Sequence, residues 1–167
     1  MREQEPLSRL IAATRRRINQ AVGRRLRPHR LNPQRFWVLV NLSEAPGSSL
    51  RELAGRMRTD EPTASRIIAS LGRGRLVRAR ADPADRRRRI LELTAGGASL
   101  ARSLAPVAAE VRRAVEAGFT PEEKATLRRL LGRVIDNMDV LERHAVDGGD
   151  SRVHPKIEPL AVAGSEQ

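Results

Sequence analysis

The 167-residue chain contains no cysteine and no tyrosine, and its aromatic residues are Phe36, Phe119 and the single tryptophan Trp37. Without a thiol there is no disulfide, no thiolate metal site and no sensing by cysteine oxidation. With so few aromatics the core must be aliphatic, built from Leu, Val, Ile and Ala, which suits helices. No apolar run approaches the length of a membrane span. Met1 to Pro6 is polar and leads into a segment carrying Arg15, Arg16 and Arg17, unlike a secretory signal. The expectation is a cytoplasmic protein with no membrane partner. A catalytic constellation is missing as well. His29, His144 and His154 fall at a loop, a helix end and the C-terminal tail, away from any carboxylate or nucleophile at metal or triad spacing. Gly72-Arg73-Gly74 follows a helix pattern, where a phosphate-binding loop needs a preceding strand. The chain reads as a non-enzyme with no metal and no cofactor.

What the chain has in excess is arginine. Its formal net charge is +12, and lysine is confined to Lys124 and Lys156. Residues 1–144 carry 30 of the 32 basic and 16 of the 20 acidic residues, so the positive charge belongs to the body and the last 23 residues are slightly acidic. Eight arginines and two aspartates lie between Arg73 and Arg89. A patch of that density neutralises phosphates and releases their counterions.

The stretch that organises the rest runs from Ser49 to Thr94. Leu50, Leu53, Ala54 and Met57 stand at i, i+3, i+4 and i+7, one apolar stripe of a short helix. In Arg58-Thr59-Asp60-Glu61-Pro62, Asp60 can cap a second helix, Glu61 suits its positive N-terminal end and Pro62 is tolerated only in a first turn. That second helix would bury Ile67, Ile68 and Leu71 and leave Thr63, Ala64, Ser65 and Arg66 in its exposed half. Short polar side chains beside an arginine suit a helix that enters a DNA groove about 12 Å wide. Leu76–Arg80 and Ile90–Leu93 alternate apolar and charged residues as two strands. Between them Asp82-Pro83-Ala84-Asp85 forms a turn, followed by Arg86, Arg87, Arg88 and Arg89.

The succession LRELAGRM, PTASRIIASLGRGRLVRA and DPADRRRRILELT resembles the winged helix-turn-helix of the multiple antibiotic resistance regulator (MarR) family. The family's wing motif is Asp, any residue, Arg, five residues, then Leu-Thr. It matches Asp85, Arg87, Leu93 and Thr94. The resemblance implies a mainly α fold with a small β-wing, in which residues 31–94 form the winged helix-turn-helix. It implies DNA contacts from Arg58, Thr59, Thr63, Ser65 and Arg66, and from the wing residues Asp85, Arg86, Arg87, Arg88 and Arg89. Asp85 would pair with Arg87 and aim it into the minor groove, while Arg86, Arg88 and Arg89 act as phosphate clamps.

Around this reader the chain shows long amphipathic helices. Leu7, Leu10, Ile11, Ile18, Ala21, Val22 and Leu26 form a stripe over residues 7–27, and Asn32-Pro33 starts a helix reaching about Ser43, apolar on most sides. Ser48 or Ser49 caps the first reader helix. Ala95-Gly96-Gly97 reads as a break before a helix over about 98–117, interrupted by Pro106. Thr120-Pro121-Glu122-Glu123 opens a last helix to about His144, with Leu127, Leu130, Leu131, Val134, Ile135, Met138 and Leu141 as its buried stripe. These stripes exceed what one small reader can cover, and pairing with a second copy is the economical solution. By resemblance, residues 7–27 and 98–144 build the dimerisation body of a MarR-like domain over 1–146. A small-molecule effector would sit near Trp37, Val40, Leu104 and Val107. Trp37 itself reads first as a core residue, with ligand contact as the alternative. Residues 147–167 read as a disordered tail. The expectation is a dimeric, ligand-responsive repressor bound to double-stranded DNA. The alternative is an architectural DNA- or RNA-binding protein without sequence preference.

Overall fold

The computed structural model describes residues 5–147, with side chains through His144. The expected tail, apart from its first residue Asp147, lies outside the described residues. Six α-helices and one hairpin follow in order: α1 (Leu7–Leu26), α2 (Pro33–Glu44), α3 (Leu50–Met57), α4 (Glu61–Arg73), β1 (Val77–Ala81), β2 (Arg89–Leu93), α5 (Ala95–Glu116) and α6 (Pro121–Asp147). A one-turn 3-10 segment, Arg27–His29, follows α1, where Pro28 removes the next helical donor. The mainly helical fold with a small wing is as expected. The chain divides into two compact units, Met1–Ala117 and Gly118–Gln167, so α5 and α6 fall in different units.

Most helix starts are explained by their caps. Asn32 Oδ1 accepts the Arg35 N–H at 2.9 Å with Pro33 in the first turn, and Asp60 Oδ1 accepts the Thr63 N–H at 2.7 Å. At α3 the cap is Ser49, and Glu52 answers it: Ser49 Oγ accepts the Glu52 N–H while the Glu52 carboxylate accepts the Ser49 N–H, a reciprocal pair that satisfies two orphan donors. Thr120 and Glu123 repeat the arrangement at α6. Ser48 instead turns inward, donating to the Ala45 carbonyl at 2.8 Å.

In the first unit α2 is central. Phe36, Val38, Leu39 and Leu42 are fully or almost fully buried, which is why this helix is apolar on most sides. Val22 and Leu26 of α1, Leu53 of α3, Leu71 of α4 and Leu104 of α5 close around it. Burying each such side chain contributes about 2 kcal/mol. Trp37 packs edge-on to Phe36, ring centroids 4.8 Å apart, at the margin of this core. The N-terminal half of α1 remains open, with Leu7 and Ile11 exposed.

The wing is an antiparallel pair in which Val77 faces Leu93 and Ala81 faces Arg89. Its base is stitched to the loop before α3, because the Leu91 N–H donates to the Ser48 carbonyl at 2.8 Å and the Gly47 N–H to the Leu91 carbonyl at 3.3 Å.

Two expectations are corrected here. Ala95-Gly96-Gly97 is no break but the first turn of α5, capped by Thr94, whose Oγ1 accepts the Gly97 N–H at 3.1 Å and donates to the Arg75 carbonyl at 2.6 Å. Ala64 is fully buried, not exposed. It stands three residues before Ile67 and seven before Leu71, and so belongs to the apolar stripe of α4.

The second unit consists of α6 and the turn before it. Along α6, Leu127, Leu130, Leu131, Met138 and Leu141 are 40–54% exposed, and Val134 and Ile135 are half-buried. The sequence reading gives this row to the pairing of two copies. Taken by itself, α6 carries an apolar face.

Candidate DNA interface

The turn between α3 and α4 is built by Arg58, which takes a left-handed conformation with φ of 51°. Its N–H and that of Thr59 return to the carbonyls of Gly55 and Ala54 and close α3. Glycine is the usual residue for this cap. An arginine there is held at a cost in backbone strain, as it is at Arg30 and Arg75. Replacement of Arg58 by glycine is expected to raise stability by roughly 0.5–1 kcal/mol while lowering DNA affinity and reducing the salt slope of binding by about one. Urea unfolding and binding at several salt concentrations check the two signs, and a variant no more stable and equally tight on DNA would contradict both.

Beyond Asp60, the first two turns of α4 present Thr63, Ser65 and Arg66. Thr63 is half-buried, whereas Ser65 and Arg66 are exposed. The Arg66 guanidinium donates to Thr63 Oγ1 at 2.9 Å, so the two side chains are already arranged together. Hydrogen bonds from the Thr63 backbone and then its hydroxyl hold the Asp60 carboxyl below its usual pKa, which keeps the cap charged at the helix's positive end. Ser65 is open to solvent on the next exposed position.

On the wing, Asp85, Arg86, Arg87, Arg88 and Arg89 are all exposed. The basic patch is partly compensated from within. Arg78 and Arg80 pair with Glu92 across the hairpin, at 3.2 and 2.6 Å, and these partners, Arg80 foremost, lower the Glu92 pKa. Arg88 pairs with Glu52 and Asp82. Among the described residues no carboxylate partner stands against Arg73, Arg75, Arg86, Arg87 or Arg89. Arg58 and Arg66 likewise have no carboxylate ion pair among the described residues.

A family model described as the MarR family matches residues 30–88, the segment from the end of α1 through the arginine run. Residues 30–88 are a MarR-family segment. It is 31% identical over 102 residues to the HTH-type transcriptional repressor NicR of Pseudomonas putida, a match covering 61% of this chain and 65% of that repressor's length. It is similar to Bordetella bronchiseptica BpsR, whose DNA binding is regulated by 6-hydroxynicotinic acid, with 25% identity and a TM-score of 0.67 over 79% of this chain and 94% of the other. A mutant MarR from E. coli complexed with operator DNA superposes with a TM-score of 0.65 at 26% identity, covering 79% and 95% of the two chains.

The MarR wing signature can now be read residue by residue. Leu93 and Thr94 do structural work: Leu93 packs against the core, and Thr94 caps α5 while tying it to Arg75. The expected Asp85–Arg87 ion pair is not among the ion pairs of the described residues. The Asp85 carboxylate accepts the Arg87 backbone N–H at 2.9 Å, and the Asp85 carbonyl accepts the Arg88 N–H at 2.9 Å, so Asp85 shapes the turn from which the arginines project. Arg88, expected as a phosphate clamp, is engaged by carboxylates, and Arg89 donates to the Ala79 carbonyl at 3.3 Å. Of the four arginines in the run, Arg86 and Arg87 are left to reach outward.

The four residues suggested for an effector are split by the packing. Leu104 is fully buried and Val40 nearly so, both inside the aliphatic core, while Trp37 and Val107 sit at its margin. Core membership follows from their place on the α2–α5 contact, which the periodicity alone does not distinguish from a cavity wall. An open groove of about 410 Å³ lies instead further along the same two helices, lined by Leu42, Pro46, Leu93, Ala101, Arg102 and Ala105 among others. Sequence reasoning missed this groove because Leu93, on the wing, completes it. No helix among the described residues is long and apolar enough to cross a membrane.

Proposed function

We propose that this chain is a dimeric transcriptional regulator that reads a pseudo-palindromic DNA site, acts as a repressor and is released by a small effector. The observation that carries the reading is the convergence, within one small helix-turn-helix, of the exposed polar and cationic first two turns of α4 with an arginine hairpin whose Arg86 and Arg87 have no carboxylate partner among the described residues. In two copies related by a dyad, the α4 helices enter successive major grooves on one DNA face, about 34 Å apart, and the wings reach the flanking minor grooves. Thr63, Ser65 and Arg66 then meet base edges and phosphates, Arg58 and Thr59 the backbone before them, and Arg87 the minor groove.

The dimer is supported by the open row on α6, since apolar faces of this length are covered in solution. Sedimentation is expected to give twice the 18.5 kDa chain mass at micromolar concentration, and a monomer there would remove the second reader and the operator symmetry with it. For the effector, the groove between α2 and α5 is the candidate: Arg102 stands over mainly apolar walls, and Glu92, the carboxylate on the same lining, is already paired with Arg78 and Arg80. The regulation of BpsR by 6-hydroxynicotinic acid makes an aromatic acid of that kind the first compound to try. Functionally, the test is competition: a selected duplex should displace a random duplex by 10³-fold or more at physiological salt, on the order expected of specific regulators. Equal, salt-sensitive affinity for both would favour the architectural binder instead.

A further inference from the structure

The hairpin is fastened to the helix-turn-helix at two levels. Its base is held by the backbone bonds between Leu91 and the loop at Gly47 and Ser48. Nearer its tip the fastening is a single side chain. Arg88 Nη2 donates to both Glu52 carboxylate oxygens, at 2.8 and 2.7 Å, and its Nη1 donates to Asp82 Oδ2 at 3.2 Å. Asp82 is largely buried and also accepts the Ala84 N–H at 2.9 Å, so one end of this link is anchored in the hairpin turn. The other end is anchored in α3, because the Glu52 carboxylate simultaneously caps that helix through the Ser49 N–H. Helix cap first and Arg88 after it hold the Glu52 carboxyl below its usual pKa.

We propose that Glu52 is a positioning residue for the wing: by holding Arg88 against α3 it fixes where Arg86 and Arg87 stand relative to α4. The proposal rests on the reading of the chain as a DNA-binding regulator. A partly exposed ion pair adds little to global stability, so the consequence lies in order. Two flexible arginines on a hairpin that is already placed lose less freedom on reaching DNA than two on a hairpin that swings. A negative charge near phosphates is otherwise unfavourable, which gives the proposal a sign that simple electrostatics reverses.

Glu52→Gln is the variant that separates the two, because glutamine retains the acceptor for the Ser49 N–H and so keeps the cap while removing the charge that holds Arg88. The absence of cysteine lets a spin label be placed uniquely, at Ala84→Cys on the hairpin turn. In full-length Glu52→Gln the label is expected to become more mobile without DNA, the urea midpoint to stay within error, and affinity for a selected duplex to fall three- to tenfold while affinity for a random duplex holds or rises. Arg88→Lys, which keeps the charge but not the two-pronged donor, should reproduce the same pattern. Tighter binding of the selected duplex by Glu52→Gln, or unchanged label mobility in both variants, would overturn the proposal and make Arg88 a phosphate clamp that Glu52 merely restrains. If the labelled chain with Glu52 intact shows no preference for any selected duplex, the regulator reading fails, and label mobility still decides whether Glu52 holds the hairpin.

Discussion

Replacement of Gly97 by alanine is expected to destabilise the fold by about 3 kcal/mol, at the upper end of what one added methyl costs in a packed interior. A Cβ built at this position meets the Leu76 carbonyl oxygen at 1.9 Å and the Leu76 carbonyl carbon at 2.9 Å. Both are backbone atoms, so no rotamer change can make room. The Leu76 carbonyl cannot retreat freely either, since it accepts the Thr94 N–H at 3.0 Å. Either α5 moves away from the start of β1 or the Thr94 link breaks, and each route also disturbs the wing. The adjacent Gly96, whose nearest neighbour is the Thr94 hydroxyl at 3.8 Å, should accept alanine with little change. Urea midpoints of the two variants, at unchanged slope, check the contrast. A loss under 1 kcal/mol for Gly97→Ala would mean that α5 is not seated against Leu76 as described.

The second large effect is on binding. Arg87→Ala is expected to cost about 1–3 kcal/mol of operator affinity, roughly five- to 150-fold, if Arg87 enters an A·T-rich minor groove. The role of Asp85 can be read from two further variants. Because its carboxylate accepts the Arg87 N–H, Asp85→Asn preserves the turn and removes a negative charge beside phosphates. Its affinity should be equal or higher. Asp85→Ala loses the turn bond and should bind a few-fold more weakly although the wing becomes more positive. Asparagine weakening binding as much as alanine would show that the charge matters, through a carboxylate–guanidinium pair formed only on DNA.

The legible parts of this molecule are those whose causes are local in the chain. Asn32-Pro33, Asp60 with Pro62, and Thr120 with Glu123 cap their helices by contacts within three residues, so their sequence alone announces them. The apolar stripe of α3 likewise matches Leu50–Met57 residue for residue. What escaped depends on partners far along the chain. Gly97 looks like a helix breaker until Leu76, 21 residues earlier, is seen against it. Arg88 looks like one more phosphate clamp until Glu52, 36 residues earlier, is seen to accept its Nη2 with both carboxylate oxygens. The α6 row is a different case: periodicity identifies an apolar face, but what covers it is set by another surface. Within the candidate interface, composition marked the arginines and packing divided them into those that bind carboxylates and those that project.

Two copies are expected to present paired recognition helices and wings to a two-fold site. Hydroxyl-radical footprinting on the strongest site from a genome-wide binding profile tests it most directly. Two protected segments related by a dyad are expected, their centres about one helical turn or 34 Å apart on one DNA face, with further minor-groove protection outside each where Arg87 reaches. Protection spread evenly along the duplex, without symmetry and fading uniformly as salt rises, would contradict the account.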